Sequence, residues 1–290
     1  MHLRAAGTLV PALAQTQTVP IASPSTDLNR DKGQQCQSAW LSEDDAAIRF
    51  LLGSFISFDI ISCASTRSRP LLNLDHSLIL QRAEIHLESF VGCRNWALIL
   101  ILEISLLDSW KKDAEDAHRL SIVELARRGG QIEERLREKL ADIDEMPLTA
   151  ASSVHTFGAG SASTQTQITK IFALSAMTYL HVVISGAYPE LPEIAQSVSK
   201  TIAAFKSLTD TTLLRNLVWP FCISGCLALD GQQDFFRDLM SGAEITPLTV
   251  GACAEAFKII QECWDTRRTC SRGCDWVFIM NKLGYHVLLK

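Results

Sequence analysis

The sequence has no surplus of positive charge: 27 Lys and Arg stand against 32 Asp and Glu, a net charge of -5. That balance argues against these residues gripping nucleic acid through a basic face of their own. There is no apolar run long enough for a bilayer. The longest, from Trp96 to Leu107, is broken by Glu103 and falls short of the roughly 20 residues a span requires. It reads as a core helix, and no membrane partner is expected. Paired cysteine spacing is missing too. Nine cysteines, an odd number, are scattered along the chain, which suits a reducing compartment and buried thiols. Near the start, Arg4 precedes a weak apolar stretch ending in Ala12-Leu13-Ala14, but Pro11 and the single charge make a poor signal peptide.

Reaction motifs are equally scarce. The chain has no His-Glu-x-x-His, no Gly-x-Ser-x-Gly elbow and no Walker loop. Gly158-Ala159-Gly160 lacks the third glycine, the preceding strand and the lysine of a phosphate cradle. Acid pairs such as Glu133-Glu134 and Asp44-Asp45 sit in charged surroundings and read as solvated rather than as a reactive pair. His76 and His86 have no Cys or carboxylate at ligand spacing, so hydrogen-bonded or solvated imidazoles are expected. Cys222 and Cys226, and again Cys270 and Cys274, are four apart and can share a helix face. Without a complementary pair of histidines they read as free thiols. No catalytic residue, metal ligand or cofactor is assigned.

What the 290 residues do hold is core material, 47% hydrophobic against 20% charged. Residues 1–38 are rich in Ala, Thr, Gln, Ser and Pro and read as a disordered leader. Order is expected from near Trp40, with Ser42 capping a helix that runs through Ile48, Leu52 and Ile56 and breaks before Pro70. A second helical region is expected from about Ser77 to Trp110. A third opens on Ser121-Ile122-Val123-Glu124, a capping box, and continues through Ile132, Leu136 and Leu140 with a mixed-charge, solvated face. Residues 147–167 read as a mobile loop. Helical spacing returns from Ile168 to Val183 and ends at Gly186; Pro192-Glu193 starts the next helix, with Ile194, Val198, Ile202 and Phe205 as its stripe.

The segment from Asp210 to Cys226 reads as the centre of the fold, a buried and bent helix. Asp210 caps it, Pro220 either kinks it or starts a new turn at Trp219, and Gly225 leaves room for a neighbouring helix. Thr246-Pro247 then starts a helix carrying Ala256, Ile260 and Trp264, and a short one spans roughly Trp276 to Leu283. No run alternates as strands do. The fold class is all-α, an irregular multi-helix domain over residues 39–290.

Leu217-Val218-Trp219-Pro220-Phe221-Cys222-Ile223-Ser224-Gly225-Cys226 resembles a motif in the C-terminal, fungal-specific regulatory domain of fungal zinc-cluster transcription factors. Other matches fall in order: Phe58-Asp59 with Pro70, Leu120-Ser121 with Glu124-Leu125, Tyr179-Leu180-His181 with Pro192-Glu193-Ile194, Trp264-Asp265-Thr266-Arg267, and Asp275-Trp276. The likeness covers about residues 40 to 290. It implies a regulatory domain of a nuclear transcription regulator, controlled by effectors or partners, in contact with the transcription machinery and able to dimerise with related regulators. A groove near Trp219, Phe221 and Trp264 is the expected effector or partner site, set against a reading of all three as core. The family's zinc and its DNA contact belong to a module of six closely spaced cysteines beside basic residues. With only Cys36 in its N-terminal region, this chain lacks that module, so DNA contact is implied by the likeness alone. Two other readings stand: an interaction protein that dimerises with an intact relative, and a helical enzyme on apolar substrates, which calls for clustered acids that the sequence does not show.

Overall fold

The structure is a computed structural model that describes residues 34–72, 74–145, 162–208, 210–242, 250–269 and 273–290. Among them are eleven α-helices, two 3-10 helices and no strand. In chain order these are α1 (Gln34–Thr66), α2 (His76–Arg82), α3 (Glu88–Val91), α4 (Asn95–Asp116), α5 (Ile122–Glu145), α6 (Ala162–Ser185) and α7 (Pro192–Lys206). A 3-10 helix at Thr211–Asn216 precedes α8 (Val218–Cys226), and another at Asp230–Gln232 precedes α9 (Gln233–Gly242). The chain closes with α10 (Val250–Thr269) and α11 (Trp276–Leu283).

The helix in the middle is α6. Every residue from Ile171 to Val183 is buried, as a helix apolar on all sides must be, and α4, α5, α7 and α8 pack around it. By length and composition, residues 45–66 and 162–185 are apolar enough to cross a membrane, but 78% of the second window is buried inside the protein. It is a core helix. Gly186 ends α6 with φ 91, and Pro192 opens α7 where a missing N–H costs nothing.

The Asp210–Cys226 segment departs from the expected single bent helix. Asp210 accepts from the Thr212 N–H at 2.8 Å and caps a 3-10 helix. Leu217, at φ -118 and ψ 22, ends it, and α8 begins afresh. Pro220 falls in the first turn of α8, where the first four backbone N–H groups lack helical partners anyway, so it bends nothing. All nine residues of α8 are buried.

Other boundaries shift for local reasons. Helix α1 starts at Gln34, and Ser42 lies inside it instead of capping it. Nothing between Gln34 and Trp40 breaks a helix. The region from Ser77 to Trp110 divides into α2, α3 and α4, interrupted by positive φ at Glu84 and Gly92. Helix α6 begins at Ala162, inside the expected loop at 147–167; residues 146–161 lie outside those described, as do residues 1–33 and the Thr246-Pro247 start. Only half of the capping box forms. The Glu124 N–H donates to Ser121 Oγ at 3.3 Å, while the Glu124 carboxylate is held by Arg127 and Arg128.

Two polar nodes tie the helices together. Asp59, fully buried on α1, accepts from the backbone N–H groups of Leu71 (2.7 Å) and Leu72 (3.1 Å) and faces His76 Nε2 at 2.9 Å. The carboxylate thereby fastens the turn after Pro70 to the helix before it. Arg67, just past α1 with φ 50, makes a two-pronged contact to Asp108 on α4 (3.1 and 2.6 Å) and a third to Asp275, the cap of α11. Beside it, Trp276 Nε1 donates to Ser65 O at 2.8 Å.

Candidate functional site

Trp219, Phe221 and Trp264 are all interior. The Trp219 ring stacks on Phe172 (centroids 6.0 Å, planes 8° apart) and meets Tyr179 edge-on, while its Nε1 has no hydrogen-bond partner among the described residues. Phe221 packs against Phe236 and Phe257. Trp264 reaches from α10 to the end of α8, where Nε1 donates to Gly225 O at 2.8 Å. Arg267, one turn on, donates to Cys226 O and Ala228 O at 2.7 and 3.0 Å. The last carbonyls of a helix have no partners within it, and these two side chains supply them. The contact needs Gly225: a Cβ there would lie 2.6 Å from Ile260 Cδ1. The Gly-Cys and Trp-x-x-Arg pieces of the sequence are thus two halves of one clamp.

The described surface also opens elsewhere. Helices α5 and α7 both lie on α6, and between them runs a cleft of about 600 Å³, within the range of small-molecule sites. Small residues on the facing side of α7 (Ser197, Ala203, Ala204 and Ser207) leave it open. Leu140, Leu174 and Met177 give it an apolar floor. At one end, His181 Nε2 faces Glu133 Oε1 at 3.3 Å, and Glu193 accepts from Ser185 Oγ at 2.9 Å. That hydroxyl, with the backbone N–H at the start of α7, holds the Glu193 carboxyl below its usual range, the backbone contribution being the larger. At the other end Lys170 pairs with Asp144. His181 is buried and its Nδ1 has no partner among the described residues.

Of the sequence-level candidates, Trp264 borders an opening, the one beside Asp230 and Arg268. Glu133 and Arg137, expected on a merely solvated face, form a wall of the cleft between α5 and α7. The available signal was the small-residue spacing at 197, 203, 204 and 207, which empties one face of α7.

Seven cysteines among the described residues are buried and free. Burial pushes the Cys63 thiol up to about 12 and raises that of Cys226 as well. Cys263 and Cys274 bring their sulfurs to 4.0 Å; Cys270 lies outside the described residues. No group of three or more His, Cys, Asp or Glu among the described residues is placed to hold a metal ion.

The described residues form an all-helical domain with a lined cleft. Its family follows from comparison. Residues 1–289 match the model of the fungal specific transcription factor domain, and the chain belongs to that family. Relatives include the trichothecene biosynthesis transcription regulator TRI10 of Trichoderma arundinaceum, 33% identical over 94% of this chain and 63% of its own length. The ustiloxin B cluster transcription factor ustR of Aspergillus flavus is 31% identical over 99% of this chain and 51% of its own. The transcription factor dibT of Pestalotiopsis microspora is 33% identical over 77% and 38%. The chain therefore spans between about two fifths and two thirds of the length of these relatives. No solved structure matches.

Proposed function

We propose that these residues form the regulatory part of a nuclear transcription regulator that controls a set of co-regulated biosynthetic genes, its activity set by effector or partner binding. The observation that carries this reading is similarity along nearly the whole chain to proteins named as regulators of biosynthesis and of gene clusters. Promoter contact, in this proposal, is made by a segment other than these residues, because the net charge is -5 and phosphate recognition needs the opposite sign. Dimerisation with related regulators and contact with the transcription machinery belong to the same proposal. Phe50 and Leu51, exposed apolar residues on α1, support an interaction role.

Residues 1–290 fused to a heterologous DNA-binding domain, in a fungal host carrying the matching reporter, provide the test. The expected result is reporter output several-fold above or below that of the DNA-binding domain alone. Output identical to that control, with the fusion present in the nucleus, overturns the proposal.

A further inference from the structure

The walls of the cleft between α5, α6 and α7 are ordered in rungs. On α6 the cleft residues Lys170, Leu174, Met177 and His181 are three or four apart, so each step along the cleft is one turn, about 5.4 Å. The first rung is Glu133, His181 and Glu193; the last is Asp144 and Lys170. From His181 to Lys170 is eleven residues of α6, about 16 Å at about 1.5 Å per residue. The space is elongated, apolar along its middle and polar at its ends.

Its charges cancel. The acids are Glu133, Asp144 and Glu193 and the bases Arg137, Lys170 and Lys200. Glu133 pairs with Arg137 and Asp144 with Lys170. A bound ion would meet no net field of opposite sign and would lose its hydration at a cost of several kcal/mol. A neutral molecule avoids that cost. One buried polar group remains for it to satisfy, His181 Nδ1, unpartnered among the described residues; the Lys200 ammonium and the Gln196 amide, both exposed, line the cleft and can add hydrogen bonds.

We infer that this cleft binds a neutral, elongated, oxygenated small molecule, with its apolar body along Leu140, Leu174 and Met177, a hydroxyl in the Glu133–His181–Glu193 rung and an acceptor oxygen towards Lys200. Its role as the effector site rests on the regulatory reading above; binding itself does not.

The full chain, labelled with 13C-methyl methionine, is titrated with 1-decanol as probe, and with decanoate and decylamine as charged analogues. The Met177 methyl lies in the cleft, whereas the Met280 methyl lies in the core away from it. Expected are a saturable Met177 shift with decanol, an unmoved Met280, and binding of both charged analogues at least several-fold weaker. In Ala203→Trp, which fills the cleft from an exposed position on α7, the Met177 response disappears while the Met280 resonance shows the fold intact. An unmoved Met177, an equal response in Ala203→Trp, a parallel shift of Met280, or equal binding of a charged analogue overturns the inference. The reporter assay separates the two claims. Decanol binding with reporter output unchanged in Ala203→Trp leaves the site standing and removes its regulatory role.

Discussion

Replacing Gly225 by Ala tests the clamp between α8 and α10. An added Cβ would sit 2.6 Å from Ile260 Cδ1, 3.0 Å from Cγ1 and 3.3 Å from Cγ2, all tighter than ordinary van der Waals contact. Ile260 is fully buried, so its side chain has no free space to retreat into. Overpacking of this kind costs about 1–3 kcal/mol, and three close contacts place it in the upper part of that range. Against this, Ala gains about 1 kcal/mol over Gly in helix propensity. The net expectation is a loss of about 1–2 kcal/mol, read as a lower midpoint in urea at unchanged slope. Ile260→Val removes only the Cδ1 methyl and by itself costs about 0.5–1.5 kcal/mol. Combined, the two changes relieve the shortest contact, so the double variant loses clearly less than the sum. Strict additivity, or a Gly225→Ala protein more stable than wild type, refutes the close-approach account.

At the Arg67 node, burial pushes the Asp108 carboxyl up, but the hydrogen bonds and charge of Arg67, with Lys112, outweigh it and hold the group below its ordinary range. Its contribution is therefore complete above the unfolded value of about 3.9 and is lost as pH falls through the folded one. Asp108→Asn leaves Arg67 short of charge and should cost about 3–5 kcal/mol near neutral pH. Urea melts of the two proteins should draw closer below about pH 4, and a gap that stays constant into acid contradicts the pairing. The seven buried thiols, shielded from reagent by the packed core around them, should resist N-ethylmaleimide in the native protein and react in urea. Peptide mapping that finds Cys226 or Cys263 labelled in the native state at the rate of an open thiol would sink that expectation.

Much of the helical order was legible because it follows from local chemistry. The Ile194–Val198–Ile202–Phe205 stripe, the Gly186 stop and the Pro192 start depend on period, φ and a missing N–H, all carried by neighbours in sequence. Boundaries were harder. Ser42 has the chemistry of a cap, yet α1 passes through it, because a cap is used only where the chain leaves helical angles. The ordered motif pieces showed the family, but not what each residue does. Nothing near Asp59 in sequence announces that it will hold Leu71, Leu72 and His76.

By itself, then, the sequence determined an all-helical class and the positions of most helices, since composition and spacing carry these directly. Tertiary structure alone decided that α6 rather than α8 is the central helix, that Trp219 and Phe221 are core, and that Glu133 and His181 meet at the end of a cleft. Those outcomes depend on which faces of distant helices come together. Glu133 and His181 are 48 residues apart, and periodicity along one helix holds no information about the face opposite it on another.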